Sequence, residues 1–337
     1  MKDLKFVQAC PSDSYYTWQV NLWLESLKEI GHSDKAISVI FTASGRENKD
    51  KWKQIEDLYP EAEFHYYTDE DNLNQLLGIY IPVLRPYVLW KHFKKNPELE
   101  EKAIFYCDSD ILFMKDFNVD KFLEDDVNYL SDTNSYINAK YFDSKIKDVL
   151  PEKLEEYKNR DVLGEICSII GISREIAEKY NEHSGGAQYL LKNVDAYFWS
   201  KVMNDCILIR TYLQKVNREF FKDESSGFQS WCADMWAVLW NLWFREQETK
   251  VVKKLNFAWA SDPIKKLENH LILHNAGIIS SDMGHPCFYK GKYHQGTDPT
   301  KDKQLDIVLS HEKSKDYCTW YYASKLKELK EKYNLNY

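Results

Sequence analysis

The sequence predicts an α/β protein built on a doubly wound, mostly parallel sheet. Two observations carry that expectation. Over the first 110 residues, four short runs rich in branched and aromatic side chains (4–9, 36–42, 63–67 and 103–107) alternate with longer polar-faced stretches. Strands that return in parallel need such crossover segments between them. Polar loops follow the first and fourth runs, Cys10-Pro11-Ser12-Asp13 and Asp108-Ser109-Asp110. Sheets of this class collect ligands beyond the carboxyl ends of their strands.

Each element has its own signal. The strand at 4–9 stops at the Cys-Pro-Ser-Asp turn. Residues 15–30 read as a helix because Trp18, Leu22, Trp23 and Leu27 recur along one side, with Gly31 closing it. The run at 36–42 is dense in branched residues and reads as a second strand. A polar-faced helix over 44–59 and a third strand at 63–67 follow. Helical material then runs toward Phe93, interrupted by Pro82 and Pro86, before the fourth strand at 103–107 delivers two aspartates. From 132 to about 181 the chain turns polar and helical, with mixed charges over 140–161 and an apolar patch at 166–172. That segment is either an insertion beside a binding cleft or a surface helical pair. Over 231–243, at about 100° per residue, Trp236, Leu239, Trp240 and Trp243 share one helical face. The lysines of 325–332 alternate with Glu328 and Glu331, the pattern of a solvated helix.

Composition narrows the class. The 337 residues are 44% hydrophobic and 29% charged, an ordinary globular balance. Eleven Trp and twenty-three Tyr favour flat-ring contact with sugars or bases. A net charge of -8 gives no general attraction to nucleic acid or anionic membrane, leaving only a local basic groove open. Seven cysteines without a CxxC pair favour a reducing compartment, with Cys10, Cys107 and Cys232 as small buried groups. No apolar stretch reaches 18 residues, so a soluble, cytoplasmic protein without a membrane anchor is expected. GxGxxG after the first strand, GxxxxGK[ST], zinc spacings and nucleophile triads are all missing. A metal rather than a glycine-rich loop would then hold any nucleotide phosphates.

Asp108 and Asp110 suit that metal. Hard divalent cations take oxygen ligands and use only one or two protein carboxylates beside phosphates and water. At a strand end that bends into a turn, one carboxylate would bind the metal and the other touch it or a ribose. The plain alternative is an aspartate pair that caps a turn. His274 follows the apolar run Leu271-Ile272-Leu273 and is a candidate third ligand, which would favour Mn2+ over Mg2+. Lys290, set between Phe288-Tyr289 and Gly291, would bring a point charge to a leaving diphosphate, with Lys292 as a weaker substitute. Arg85 lies near a helix start and would contact phosphate or ribose, or else pair internally with an aspartate.

Two further blocks stand out. His183-Ser184-Gly185-Gly186-Ala187-Gln188-Tyr189 offers glycines that let backbone approach a ligand. In the Trp231–Trp236 block, Asp234 sides with Trp231 and Val238 rather than with the aromatic stripe. It would face a cleft as a general base or orienting group, or accept backbone N–H groups at the helix start. Trp231, Trp236 and Tyr189 are candidate stacking platforms.

These motifs resemble glycosyltransferases of the GT-A fold, and within them the peptidyl-serine galactosyltransferases and hydroxyproline arabinosyltransferases. The resemblance runs from Leu4 to about Gly296 at fold level and is sharper in the 185–189 and 231–236 blocks. It implies a single GT-A domain with a nucleotide-binding half at 1–118, a helical insertion at 132–181, a donor-sugar and acceptor half at 182–300, and a helical tail at 301–337. It implies Asp108 and Asp110 as the DxD metal motif, His274 as the late metal ligand and Lys290 as the basic group at the diphosphate. Gly185, Gly186 and Gln188 would line the donor sugar, Arg85 would touch the nucleotide, and Asp234 would act at the reacting carbon or acceptor. The implied cofactor is Mn2+ (or Mg2+), and the implied donor is a UDP-sugar carrying arabinose, glucose or galactose. Without a membrane anchor, and with a composition that suits a bacterial or phage protein, the expected acceptor is hydroxymethylated cytosine in phage DNA. The alternatives are a peptide or glycan hydroxyl, a nucleotide-sugar hydrolase or nucleotidyltransferase, and a non-catalytic binding protein.

Overall fold

The computed structural model describes residues 2–43, 48–70, 80–115, 117–278, 280–335 and 337. The expected helix start at 44 and the helical material of 71–79 lie outside the described residues. In chain order the elements are β1 (Leu4–Pro11), α1 (Ser14–Glu29), β2 (Ala36–Thr42), α2 (Lys49–Leu58), β3 (Glu63–Thr68), α3 (Leu84–Lys95), β4 (Ala103–Cys107), β5 (Ile111–Phe113) and β6 (Asn128–Leu130). Then come the short helices α4 (Ala139–Ser144), α5 (Leu154–Lys158), α6 (Val162–Ile170) and α7 (Arg174–Lys179). The rest are β7 (Tyr189–Leu191), α8 (Ala196–Phe220), α9 (Ala233–Phe244), β8 (Thr249–Val251), β9 (Phe257–Trp259), β10 (Ile272–His274), α10 (Lys303–Ser310) and α11 (Cys318–Tyr333). The fold is α/β, with a mostly parallel, doubly wound sheet and helical insertions, as the sequence predicts. No helix among the described residues is long and apolar enough to cross a membrane.

The chain forms two compact units, one of Met1–Asp3, Glu70–Phe105 and Lys121–Lys253, the other of Leu4–Asp69, Tyr106–Asp120 and Lys254–Tyr337. Strand β4 contributes its first three residues to the former and its last two to the latter.

In the second unit β1, β2 and β3 pair in parallel, with Phe6 opposite Ala36 and Ile37 opposite Glu63. The end of β4 flanks β1. Strands β1 and β2 are buried almost throughout, as befits parallel strands covered on both faces. Edge strand β3 is mostly polar or half-exposed, which blunts it against further pairing. A second sheet orders its strands β5-β10-β9.

Helix α1 is buried around most of its surface, and several of its polar residues find partners within the helix. The Thr17 hydroxyl donates to the Ser14 carbonyl at 2.7 Å and the Gln19 amide to the Tyr15 carbonyl at 2.8 Å. The Ser26 hydroxyl accepts the Phe113 N–H at 3.1 Å, which ties α1 to β5. Trp18 centres the core of this unit. Its ring meets Tyr15, Phe288 and Tyr322 edge-on, with centroids 5.9, 5.7 and 6.3 Å away. The tail differs from the solvated helix expected. Tyr322, Leu326 and Leu329 recur at helical spacing and join the Trp18 core, while Glu328, Glu331 and Lys332 of α11 are exposed.

In the first unit β6 pairs antiparallel with β7 and parallel with β8, and β4 flanks β7. Helix α8 packs against both α3 and α9. The aromatic stripe of α9 is buried, with the Trp236 and Trp240 centroids 5.0 Å apart. Within the 132–181 segment, Phe142 of α4 lies 5.0 Å from the Trp236 ring and 5.2 Å from that of Phe228. Three of the segment's four helices begin on side-chain caps: Asn138, Asp161 and Ser173 accept from Tyr141, Gly164 and Ile176 N–H groups. All seven cysteines are buried free thiols.

The Trp18→Ala variant should lose about 3–5 kcal/mol of stability, since the vacated indole volume has rings on several sides and little means of collapse. Urea unfolding followed by circular dichroism checks this.

Candidate functional site

Asp108-Ser109-Asp110 is the turn between the end of β4 and the start of β5. Strand β10 runs antiparallel to β5 with Leu273 opposite Leu112 and His274 opposite Ile111. The carboxyl end of β10 therefore arrives where β5 begins. The Asn275 N–H donates to the Asp110 carbonyl at 3.0 Å and locks that junction. Alternation sends Leu112 and Leu273 into the Trp18 core and leaves His274 for the other face. There its ring stacks on Trp259 (5.7 Å, 17°) and meets the edge of Phe257 (5.0 Å, 63°), both from β9. The Ser109 hydroxyl donates to the Gln19 side chain at 3.3 Å, fastening the turn to α1.

Asp108, Asp110 and His274 each offer one ligand atom, and all three atoms lie within 4.8 Å of one another. His274 Nε2 is 3.5 Å from an Asp108 oxygen and 3.3 Å from an Asp110 oxygen. Asp110 is 3% exposed, whereas Asp108 is half-buried and keeps carboxylate surface toward solvent. The second Asp110 oxygen is bound by the Lys290 ammonium. Burial alone would raise the Asp110 carboxyl, but the charges of Lys290 and His274 outweigh it and hold the group below the ordinary carboxylate range. Lys290 opens a short 3-10 turn, Lys290–Tyr293, anchored by buried Phe288 and Tyr293. Gly291 leaves room for the Tyr289 ring, whose atoms a Cβ there would meet at 2.4 Å. Lys292 is bound instead to Asp302 at 2.5 Å. Two carboxylates and an imidazole form a donor set that fits a divalent cation of the Mn2+ type.

The remaining sequence-predicted residues lie in the first unit. Arg85 pairs with Asp234 through its guanidinium. The Tyr80 hydroxyl sits 3.2 Å from the other Asp234 oxygen and 2.7 Å from the Trp231 carbonyl. Gly185 and Gly186 allow a close approach within the protein itself. A Cβ on Gly185 would stand 2.3 Å from the Ser131 carbonyl oxygen, and one on Gly186 would meet the Tyr189 hydroxyl at 2.5 Å. Gln188 is buried, its N–H and side-chain oxygen both 3.3 Å from the Ser131 hydroxyl. The structure thus gathers Asp108, Asp110, His274 and Lys290, and separately pairs Arg85 with Asp234.

Sequence reasoning missed Trp259, Tyr80 and Ser131. Only register places Trp259 under His274, through the parallel pairing of β9 with β10. Tyr80 and Ser131 carry no local pattern, since their partners lie 154 and 57 positions away.

No family model and no curated protein matches the chain. Among solved structures, galactosyltransferase LgtC with donor and acceptor sugar analogues aligns over 99% of this chain and 97% of its own, at 9% identity and TM-score 0.44. Mouse xyloside xylosyltransferase 1 aligns over 81% and 97%, at 11% identity and TM-score 0.37. The mannosyltransferase PcManGT from Pyrobaculum calidifontis, in complex with GDP-Man and Mn2+, aligns over 100% and 90%, at 9% identity and TM-score 0.30. Scores this low describe a coarse similarity of chain path and do not define the chemistry of this chain.

In EDTA, Lys290→Ala should lose roughly 2 kcal/mol at neutral pH, less than for a wholly unpaired charge because His274 still faces the carboxylate. Asp110 is depressed in the folded state, so its contribution is present above the ordinary carboxylate range and fades as pH falls through its folded value. The gap between wild type and variant should therefore narrow on acidification, as denaturant titrations from pH 7 to 3 would show. Gly185→Ala should cost about 1–3 kcal/mol, because backbone rather than a movable side chain occupies the Cβ position.

Proposed function

We propose that this chain is a metal-dependent glycosyltransferase that moves a sugar from a nucleotide diphosphate-sugar to an acceptor hydroxyl. The observation that carries it is the convergence of Asp108, Asp110 and His274 at the carboxyl end of a buried strand, with Lys290 on the same carboxylate. A divalent cation held there supplies charge neutralisation for a departing diphosphate.

The chain's own groups have distinct parts. Asp110, kept ionised by Lys290 and His274, presents a fixed negative oxygen. Asp108, half-buried, is assigned as the second carboxylate of the cluster. Trp259 and Phe257 fix the His274 ring. Lys290, held on Asp110, is the point charge assigned to a phosphate oxygen as negative charge builds. Gly185, Gly186 and Gln188 are assigned to the donor sugar. Asp234, its carboxylate already oriented by Arg85 and Tyr80, is assigned to orienting the acceptor hydroxyl.

A DNA acceptor is less well supported. Several cations of the 132–181 segment that would form a basic rim are paired with acids: Lys140 with Glu182, Lys153 with Glu156, Lys158 with Glu155, and Arg160 with Glu165 and Glu219. Neutralised side chains release few counterions from a phosphate backbone.

Purified protein with Mn2+ and UDP-glucose, UDP-galactose or UDP-arabinose should release UDP and add a sugar mass to a hydroxyl acceptor. Asp108→Ala and Asp110→Ala should each cut turnover roughly 100-fold or more. Free sugar released at the full rate without acceptor would reassign the chain as a hydrolase. No UDP release together with no Mn2+ binding by electron paramagnetic resonance would overturn the proposal.

A further inference from the structure

We infer that the indole of Trp231 is the platform of a carbohydrate subsite in the first unit, which receives a sugar ring of the acceptor. The inference deepens the transferase reading and rests on it for the word acceptor.

All eleven tryptophans lie among the described residues, and Trp231 alone is exposed, at 56%. Six others are almost wholly buried. Single exposed apolar residues are ordinary on protein surfaces. What separates Trp231 is its seat. Its carbonyl accepts the Tyr80 hydroxyl at 2.7 Å, and two residues earlier the Gln229 N–H donates to the Tyr141 hydroxyl at 2.9 Å. The next residue, Cys232, is buried. The backbone under the indole is thus held from both sides, and a ligand landing on the ring meets a surface already in place.

The surroundings are polar in a way that suits a sugar. Asp234 follows Trp231 by three residues and, unlike the indole, is buried at 6% exposure. Its carboxylate is bound by Arg85 and lies beside Tyr80, over whose ring Arg210 sits at 4.5 Å. Met235, in the same turn, reaches Gly186, where a Cβ would stand 3.0 Å from its methyl group. The turn that carries the indole therefore also abuts the glycine loop. A pyranose presents axial C–H bonds of partial positive charge on its face and hydroxyls around its rim. The negative face of an indole attracts the former, and an oriented carboxylate–guanidinium pair offers both an acceptor and donors for the latter. A nucleobase stacks on an indole equally well, so a duplex is the competing ligand in the test.

The test is saturation-transfer NMR and calorimetry on the full chain, with lactose, cellobiose and maltose as probes. A duplex containing hydroxymethylcytosine runs in parallel, with neither donor nor metal present. At least one disaccharide should bind and show transfer strongest on the C–H protons of one ring. Trp231→Ala should weaken that binding tenfold or more, and Trp231→Phe should restore part of it. Both variants should keep the wild-type melting curve, because the side chain is exposed. In turnover assays Trp231→Ala should raise acceptor KM far more than it lowers kcat.

UDP release without disaccharide binding, or with binding unaltered in Trp231→Ala, would sink the subsite and leave the transferase standing. Trp231-dependent disaccharide binding with no UDP release from any donor would do the reverse. Trp231-dependent capture of the duplex in place of the disaccharides would also overturn the inference.

Discussion

A carboxylate removed from water is tolerated only where its charge is met, and the second unit is arranged around meeting the charge of Asp110. One of its oxygens faces His274 and the other binds Lys290, 164 and 180 positions further along the chain. Neither partner could be delivered without the antiparallel pairing of β10 on β5, which sets the end of one strand beside the start of the other. That pairing in turn needs a core on its other face. Leu112 and Leu273 enter the aromatic cluster around Trp18, so the packing of α1 and α11 supports the position of a polar group on the opposite side of the same short sheet.

The site is stiff for identifiable reasons. Three short strands would be marginal alone, but Trp259 and Phe257 clamp the imidazole, and the Ser109 hydroxyl and Asn275 N–H tie the acidic turn to its neighbours. Preorganised charge of this kind needs no rearrangement when a ligand's charge develops. Asp108 differs from Asp110 in exposure, half-buried where Asp110 is buried. In the first unit the same economy of motion appears around Ser131, whose hydroxyl and carbonyl serve the backbone of Gly186 and Gln188.

Much of this was legible before the fold was seen. The four runs over the first 110 residues are the four strands β1 to β4, because branched and aromatic residues packed between helices leave a local compositional trace. Asp108 and Asp110 were legible because they interrupt an apolar run, and His274 because it ends one. The buried face of α11 was less so: the lysines of 325–332 dominate the pattern, and the stripe of Tyr322, Leu326 and Leu329 declares itself only against the α1 surface that covers it. Arg85 illustrates a different limit. The sequence leaves it free to meet a phosphate or an aspartate, and nothing local selects between them.

The sequence by itself determined the class of fold, the position of the acidic turn and the residue types available to a metal and a diphosphate. These follow from periodicity and from local chemistry, which act between near neighbours. Only the tertiary structure decided that Lys290 would bind Asp110 while Lys292 bound Asp302, that Arg85 would bind Asp234, and that Trp231 would stay in water when six other tryptophans were almost wholly buried. Those choices depend on strand register and helix packing between residues far apart in the chain. Register is set by the summed burial of whole elements, which no single segment carries.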